Sequence, residues 1–274
     1  METNVRTRTF EPAGGQAPDR KDDCADGGRS LVGRIAAIMD SFDQQDPVLS
    51  LVELSRRSGL PKSTAHRLAE QLRAMGWLER CHSGYRVGMR LFELGGLAAK
   101  QAQLRDPALP HLHALAGQTG LAVQLAVLDS DEVVYLDRVT VGSYRLPTRQ
   151  GGRMPAYCTG LGKAMLAFDD AAAQRVAESE LPARTAHTID SPASLRAELE
   201  RVRSTGVAFD RQESYDGLGC VAAPIRNSGR AIGAVSVTGP INRIDWDSLS
   251  TAVRVTATRI WNDRFPPSPA HASN

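Results

Sequence analysis

The sequence predicts an α+β protein in two parts, and three features carry that prediction. Near the N-terminus, "LSLVELSRRSGLPKSTAHRLAEQLRAMGWLER" (Leu49–Arg80) reads as two short amphipathic helices separated by Gly59-Leu60-Pro61. Directly after it, "LERCHSGYRVG" reads as two short strands about a His82-Ser83-Gly84 turn. Further on, "LAVQLAVLDSDEVVYLDRV", "LGCVAAPIRN" and "AIGAVSVTGP" alternate as strands between helical stretches, the pattern of an antiparallel meander flanked by helices.

The whole chain sets the limits within which those elements sit. Its 274 residues, 42% hydrophobic and 23% charged, suit one large or two moderate globular domains. No run approaches the ~18 to 20 consecutive apolar residues of a membrane span. Residues 1–28 are polar, aperiodic and Gly/Pro-containing, which predicts a disordered leader, and they lack the apolar core of a secretory signal. Cys24, Cys81, Cys158 and Cys220 are widely spaced with no CxxC pair, so a disulfide framework or Cys-rich zinc site is not expected, and a reducing cytoplasm is the natural location.

Residues 29–88 predict a winged helix-turn-helix. The opening helix, "SLVGRIAAIMDSF", turns Leu31, Ile35, Ile38, Met39 and Phe42 inward. Ser50 and Glu53 form a capping-box pattern, so a second helix starts at Leu51, with Leu51 and Leu54 inward. Ser58-Gly59 ends it, because glycine takes the left-handed conformation a sharp reversal needs. Pro61 suits the first turn of the third helix, where a missing N–H costs nothing. From there Ala65, Leu68, Leu72 and Met75 form one buried stripe, while Lys62, Ser63, His66, Arg67, Glu70 and Arg73 occupy the opposite face; Gly76 closes the helix.

In such a unit the second helix of the pair enters the major groove of DNA with its N-terminal residues at base edges. Ser63 and Thr64 can bond phosphates, Arg67 can fork onto a guanine, Lys62 adds charge, and the wing carries Arg80 and Arg86. Between Arg56 and Arg90 there are eight Lys or Arg against Glu70 and Glu79, a net +6 that leaves −4 for the rest of a chain of net +2. So local an excess points to a polyanion partner for that segment alone.

Residues 89–105 predict a linker helix in which Leu91, Leu94, Leu97 and Leu104, beside Phe92 and Ala98, keep helical spacing across Gly95-Gly96; it serves equally as part of a dimer seam. A second domain over 106–265 follows, then a flexible tail over 266–274. It opens with a helix from Pro107 to Gln118 and a hairpin turning at Asp129-Ser130-Asp131. "QGGRMPAYCTGLGKAMLAF" resembles a phosphate loop but fails it, having Tyr157 at the first glycine and Ala164 where Ser or Thr should follow Lys163. What survives is a helix start whose amides, from Gly160 to Gly162, can hold a carboxylate. "SPASLRAELERVRSTG" is a helix capped by Ser191 or Ser194, and "DSLSTAVRVTATRIWNDRF" a closing helix.

Four motifs in order, "SGLPKSTAHRL", "GLGKAMLA", Gly206-x3-Asp210-x2-Glu213-x6-Cys220-Val-Ala-x2-Ile and "GAVSVTGP", resemble the IclR-type transcriptional regulators over roughly Arg29 to Phe265. The resemblance implies an N-terminal winged helix-turn-helix, a linker helix and a C-terminal GAF-like effector-binding domain. It implies a pocket lined by the Ser143–Leu146 segment, Gly160, Leu161, Asp210, Cys220, Ser236 and Thr238, taking a small organic or aromatic acid. It also implies a homodimer, or a dimer of dimers, on a palindromic operator, acting as repressor or activator. In this pocket the helix-start amides and the Ser236 and Thr238 hydroxyls would hold a carboxylate head, with Leu146 and Leu161 as the apolar wall. Thr238 stands where some relatives carry serine, which narrows the pocket by a methyl.

Other chemistry is weaker in the sequence. No base is tied to Cys220, the nearest histidine being His187, so a buried inert cysteine is the reading. His111 and His113 diverge by about 200° on a helix, and Cys81 and His82 point to opposite faces of the wing, so no metal is expected. Asp210 and Glu213 read as one pocket residue and one structural residue rather than a catalytic pair. No cofactor and no enzymatic activity are expected. The rival readings are a winged module for protein contact and a small-molecule enzyme with an accessory DNA-binding domain.

Overall fold

The computed structural model describes residues 30–43, 46–141 and 146–266, and the chain divides into two compact units, Met1–Ala98 and Ala99–Asn274. The expected leader over 1–28, and the tail beyond 266, lie outside the described residues.

The first unit runs α1 (Leu31–Met39), β1 (Val48–Leu49), α2 (Leu51–Ser58), α3 (Lys62–Ala74), β2 (Leu78–Cys81) and β3 (Gly84–Val87). The capping box forms: the Glu53 N–H donates to Ser50 Oγ at 3.3 Å and the Ser50 N–H to Glu53 Oε2 at 2.9 Å. Gly59, at φ +67°, ends α2 in the left-handed region. Pro61 is the N-cap of α3 rather than a residue of its first turn. Leu68, Ala69 and Leu72 pack with Ile38, Leu49, Leu54, Leu78 and Tyr85 into one core. Two residues expected inside are outside: Met75, 60% exposed, is the cap after α3, and Leu31, 56% exposed, is the first residue of α1. At both positions the apolar stripe has already rotated off the core. Strand β1 was not legible, being two residues long; it pairs Leu49 with Tyr85 and completes a three-stranded wing sheet of order β1-β3-β2.

Helix α4 (Met89–Ala102) keeps its helical course through Gly95-Gly96. Phe92 and Leu97 on it are exposed, whereas Leu104, just beyond it, is buried in a core of the second unit.

The second unit contains α5 (Arg105–Thr119), β4 (Ala122–Asp129), β5 (Glu132–Val139), β6 (Arg153–Pro155), α6 (Gly160–Leu166), α7 (Asp170–Glu178), α8 (Pro192–Thr205), β7 (Ala208–Arg211), β8 (Leu218–Ile225), β9 (Gly233–Pro240) and α9 (Trp246–Arg264). Its strands form one antiparallel sheet of order β6-β5-β4-β9-β8-β7. Helices α5 and α9 cover one face, burying Val221, Ala223 and Ile225 of β8; α6 and α8 cover the other, burying Cys220 and Ala222. Burial on both sides explains why β8 reads as an unbroken apolar run rather than an alternating one. The side chains on the α6 face are small, and the helix comes close. A Cβ on Gly160 would lie 3.1 Å from Cys220 Sγ, and one on Gly162 would meet the Ala156 carbonyl oxygen at 2.2 Å. Glycine at 160 lets α6 lie close against β8, and glycine at 162 lets it pass close to the Ala156 backbone that leads into it.

Candidate functional site: a nucleic-acid interface and a small-molecule pocket

On the first unit, α3 buries Ala65, Leu68, Ala69 and Leu72 and leaves Lys62, Ser63, His66 and Arg67 exposed, with Thr64 half-buried. The basic segment is not uniform. Arg57 pairs with Asp43 at 2.9 Å and also with Asp46; Arg73 with Glu70 at 2.8 Å; Arg86 with Glu79 at 2.8 Å; and Arg90 with Glu93 at 2.7 Å. Arg80 lies 3.6 Å from Glu70. Lys62 and Arg67, with Arg56 of α2, make no ion pair among the described residues. The free charge is thus concentrated at the N-terminal half of α3. The carboxylates that take up the other arginines are strongly held: Arg73, then the Tyr85 hydroxyl at 2.9 Å, keeps Glu70 below its ordinary range. Arg86, then the Met89 N–H at 3.1 Å, does the same for Glu79, which so ties the wing to the start of α4.

On the second unit a cavity opens between α6, the sheet and the turn after β7. Its wall includes Gln124, Tyr135, Leu146, Thr148, Gly160, Leu161, Asp210, Ser214, Tyr215, Cys220 and Thr238. Of the residues expected there, Leu146, Gly160, Leu161, Asp210, Cys220 and Thr238 line it, and Ser143 lies outside the described residues. Ser236 does not line it. It is fully enclosed opposite Ala222 and Gln124, at the level where α6 closes onto the sheet. The three helix-start amides are reduced as well, because the Gly162 N–H donates to Thr159 Oγ1 at 3.1 Å.

The structure adds polar groups that the sequence did not reveal. Thr238 Oγ1 donates to Gln124 Oε1 at 3.0 Å, and Gln124 Nε2 donates to Thr148 Oγ1 at 2.6 Å, a relay that fixes the amide across one wall. Arg138 holds the Thr148 carbonyl oxygen from behind. Asp210 accepts from the Glu213 N–H at 2.7 Å, the Ser214 N–H at 3.3 Å and Ser214 Oγ at 2.5 Å. Burial nevertheless raises its carboxyl above the ordinary value, outweighing those bonds. The Cys220 thiol is pushed up to about 12, chiefly by burial and then by Asp210, against the hydroxyls of Ser236 and Thr238 beside it. While enclosed, it is therefore held as the neutral thiol. The space inside it is small, ≈ 20 Å³, about the room of one water.

Lys163, read in the sequence only as a failed phosphate loop, is completely buried in α6, its Nζ 2.5 Å from Glu213 Oε1 and 3.5 Å from Glu198 Oε1. The histidines do other work: His111 bonds Asp263 at 2.7 Å, while His113 is exposed.

A three-helix unit with a β-wing and exposed cations at the start of α3, joined to a helix-covered antiparallel sheet with a small pocket, defines a two-domain DNA-binding regulator. The chain belongs to the IclR family of bacterial transcriptional regulators: residues 31–81 match the IclR helix-turn-helix domain and residues 96–261 the IclR C-terminal domain. It is 34% identical over 223 residues to the probable transcriptional regulator SauR of Cupriavidus necator, covering 79% of this chain and 88% of that protein. It is 31% identical over 227 residues to the regulator XynR of Escherichia coli, covering 78% and 87%. Among solved structures, an IclR homologue of Microbacterium hydrocarbonoxydans complexed with 4-hydroxybenzoate superposes with a TM-score of 0.77 at 29% identity, over 86% of this chain and 99% of that one.

Proposed function

We propose that this regulator binds a palindromic operator as a homodimer, or a dimer of dimers, in the cytoplasm, and that a small organic or aromatic acid in the pocket alters that binding. Lys62 and Arg67 carry the primary contacts, with Ser63, Thr64 and His66 beside them; Arg73, Arg80 and Arg86 follow as their carboxylate partners yield to phosphate. The observation that carries this reading is the pair of uncompensated cations on the exposed face of α3. The 4-hydroxybenzoate complex of the Microbacterium homologue supports an aromatic acid as ligand. The acid must bind two arrangements of the protein unequally, or it transmits nothing to the operator. The relatives the chain matches are transcriptional regulators, and no catalytic step enters this reading.

The test is a mobility-shift titration against duplexes from the upstream intergenic region and then the remaining genome, with and without 4-hydroxybenzoate and other acids. Saturable, salt-sensitive binding to a symmetric site, shifted by one acid, is the expected result. Failure on every fragment in every condition would hand the case to a protein-contact role for the winged unit.

A further inference from the structure

Three residues of the pocket wall, Asp210, Ser214 and Tyr215, belong to one turn and its approach, and that turn has an unusual backbone. Gln212 holds φ +67° without being glycine, a conformation that persists only where surrounding bonds impose it. On one side Thr185 Oγ1 donates to the Gln212 carbonyl oxygen and Thr188 Oγ1 to that of Glu213, both at 2.7 Å. On the other side stands the Lys163–Glu213 pair, the one ion pair joining the turn to the pocket helix α6 among the described residues. Glu213 also gives its own N–H to Asp210, so the residue gripped by Lys163 is the residue that orients the pocket carboxylate.

A buried ion pair is a poor way to gain stability, since an apolar pair of equal volume is often as good or better. What it supplies is a fixed distance and direction. We infer that Lys163 is a positioning residue of the pocket: its ammonium, through Glu213, fixes the turn 212–215 and with it the wall formed by Asp210, Ser214 and Tyr215 above Cys220. This rests on reading the cavity as the effector site, but its test does not require a ligand.

Cys220 supplies the readout, in a background with Cys24, Cys81 and Cys158 replaced by serine. The double variant Lys163→Met/Glu213→Leu removes both charges of the pair together, so neither Lys163 nor Glu213 is left buried alone. It should label Cys220 with an aromatic disulfide reagent about tenfold faster than the parent, because the turn opens more often. Val253→Ala, which makes a cavity in α9 on the other side of the sheet, should stay within about twofold of the parent despite its lower stability. A double variant that labels no faster than Val253→Ala would overturn the inference, leaving Lys163 a packing residue. Calorimetry with 4-hydroxybenzoate is run in parallel. No binding by the parent would count against the acid reading, while the labelling result still decides the role of Lys163.

Discussion

Two lysines near the starts of helices show how differently the two units use charge. Lys62 opens α3 after Gly59-Leu60-Pro61, stands in water and has no partner among the described residues. Lys163 lies in the first turns of α6 after Thr159-Gly160, is wholly enclosed and touches two carboxylates. The local sequence signals are alike; the outcome depends on whether the rest of the chain brings an acid to meet the base. Around α3, nearby carboxylates take up Arg57, Arg73, Arg80 and Arg86 but leave Lys62 and Arg67 free for another molecule. Around α6, Glu213 arrives from fifty residues away and takes up the ammonium. On the proposed reading, the free charges meet DNA and the enclosed one holds a pocket wall in place.

The contrast breaks most visibly at the enclosed end. Lys163→Met alone leaves Glu213 buried without its cation, and the C-terminal unit should lose about 3–5 kcal/mol in chemical denaturation. Lys62→Met, fully in water, should leave stability within about 0.5 kcal/mol. At the free end, Arg67→Ala should cost about 1–3 kcal/mol in discrimination between operator and random duplex, read by competition binding.

Acid should act with opposite signs on the carboxylates of the winged unit and on the buried carboxyls of the pocket turn. Glu53, Glu70 and Glu79 are held below their ordinary value of 4.5 by hydrogen bonds and cations, so the stability they lend is lost as pH falls through that region. Burial holds Asp210 and Glu213 above 3.8 and 4.5, so their contribution is fully present below those values and lost as pH rises through the raised ones. Glu198 opposes them: burial raises it, but Arg201 and Lys163 together bring it lower. Amide-exchange protection, corrected for intrinsic rate between pH 7 and 3, should weaken in the wing sheet, and Asp210→Asn should remove part of any gain in β7 and β8. The smallest effect is at the pocket. Thr238→Ser keeps the bond to Gln124 and widens the cavity by one methyl, which should change acid preference by about tenfold at most.

Much of the first unit was legible because its signals are local. Ser50 and Glu53 lie three residues apart, Gly59 marks its own turn, and the stripe of α3 repeats within one helix. The pocket was legible only where motif residues sit on its wall, such as Gly160, Leu161, Asp210 and Cys220. Its polar wiring was not. Gln124 meets Thr238 across 114 positions and Lys163 meets Glu213 across 50, and no period or spacing announces such meetings. The family resemblance implied both Ser236 and Thr238, which share a strand face, as pocket residues; where α6 lies close to the sheet only Thr238 reaches the wall. Strands β6 and β7, three and four residues long, gave too short a pattern to separate from loop.

The most direct test is the salt dependence of operator binding by two double variants, Lys62→Gln/Arg67→Gln and Arg73→Gln/Arg86→Gln. The free cations should account for about two units of the slope of log K against log salt, because each releases one counterion on meeting phosphate. The ion-paired arginines, which must first leave Glu70 and Glu79, should change the slope by less than about one unit. Equal losses from both variants would contradict the account, because the carboxylates around α3 would then have no part in deciding which charges meet DNA.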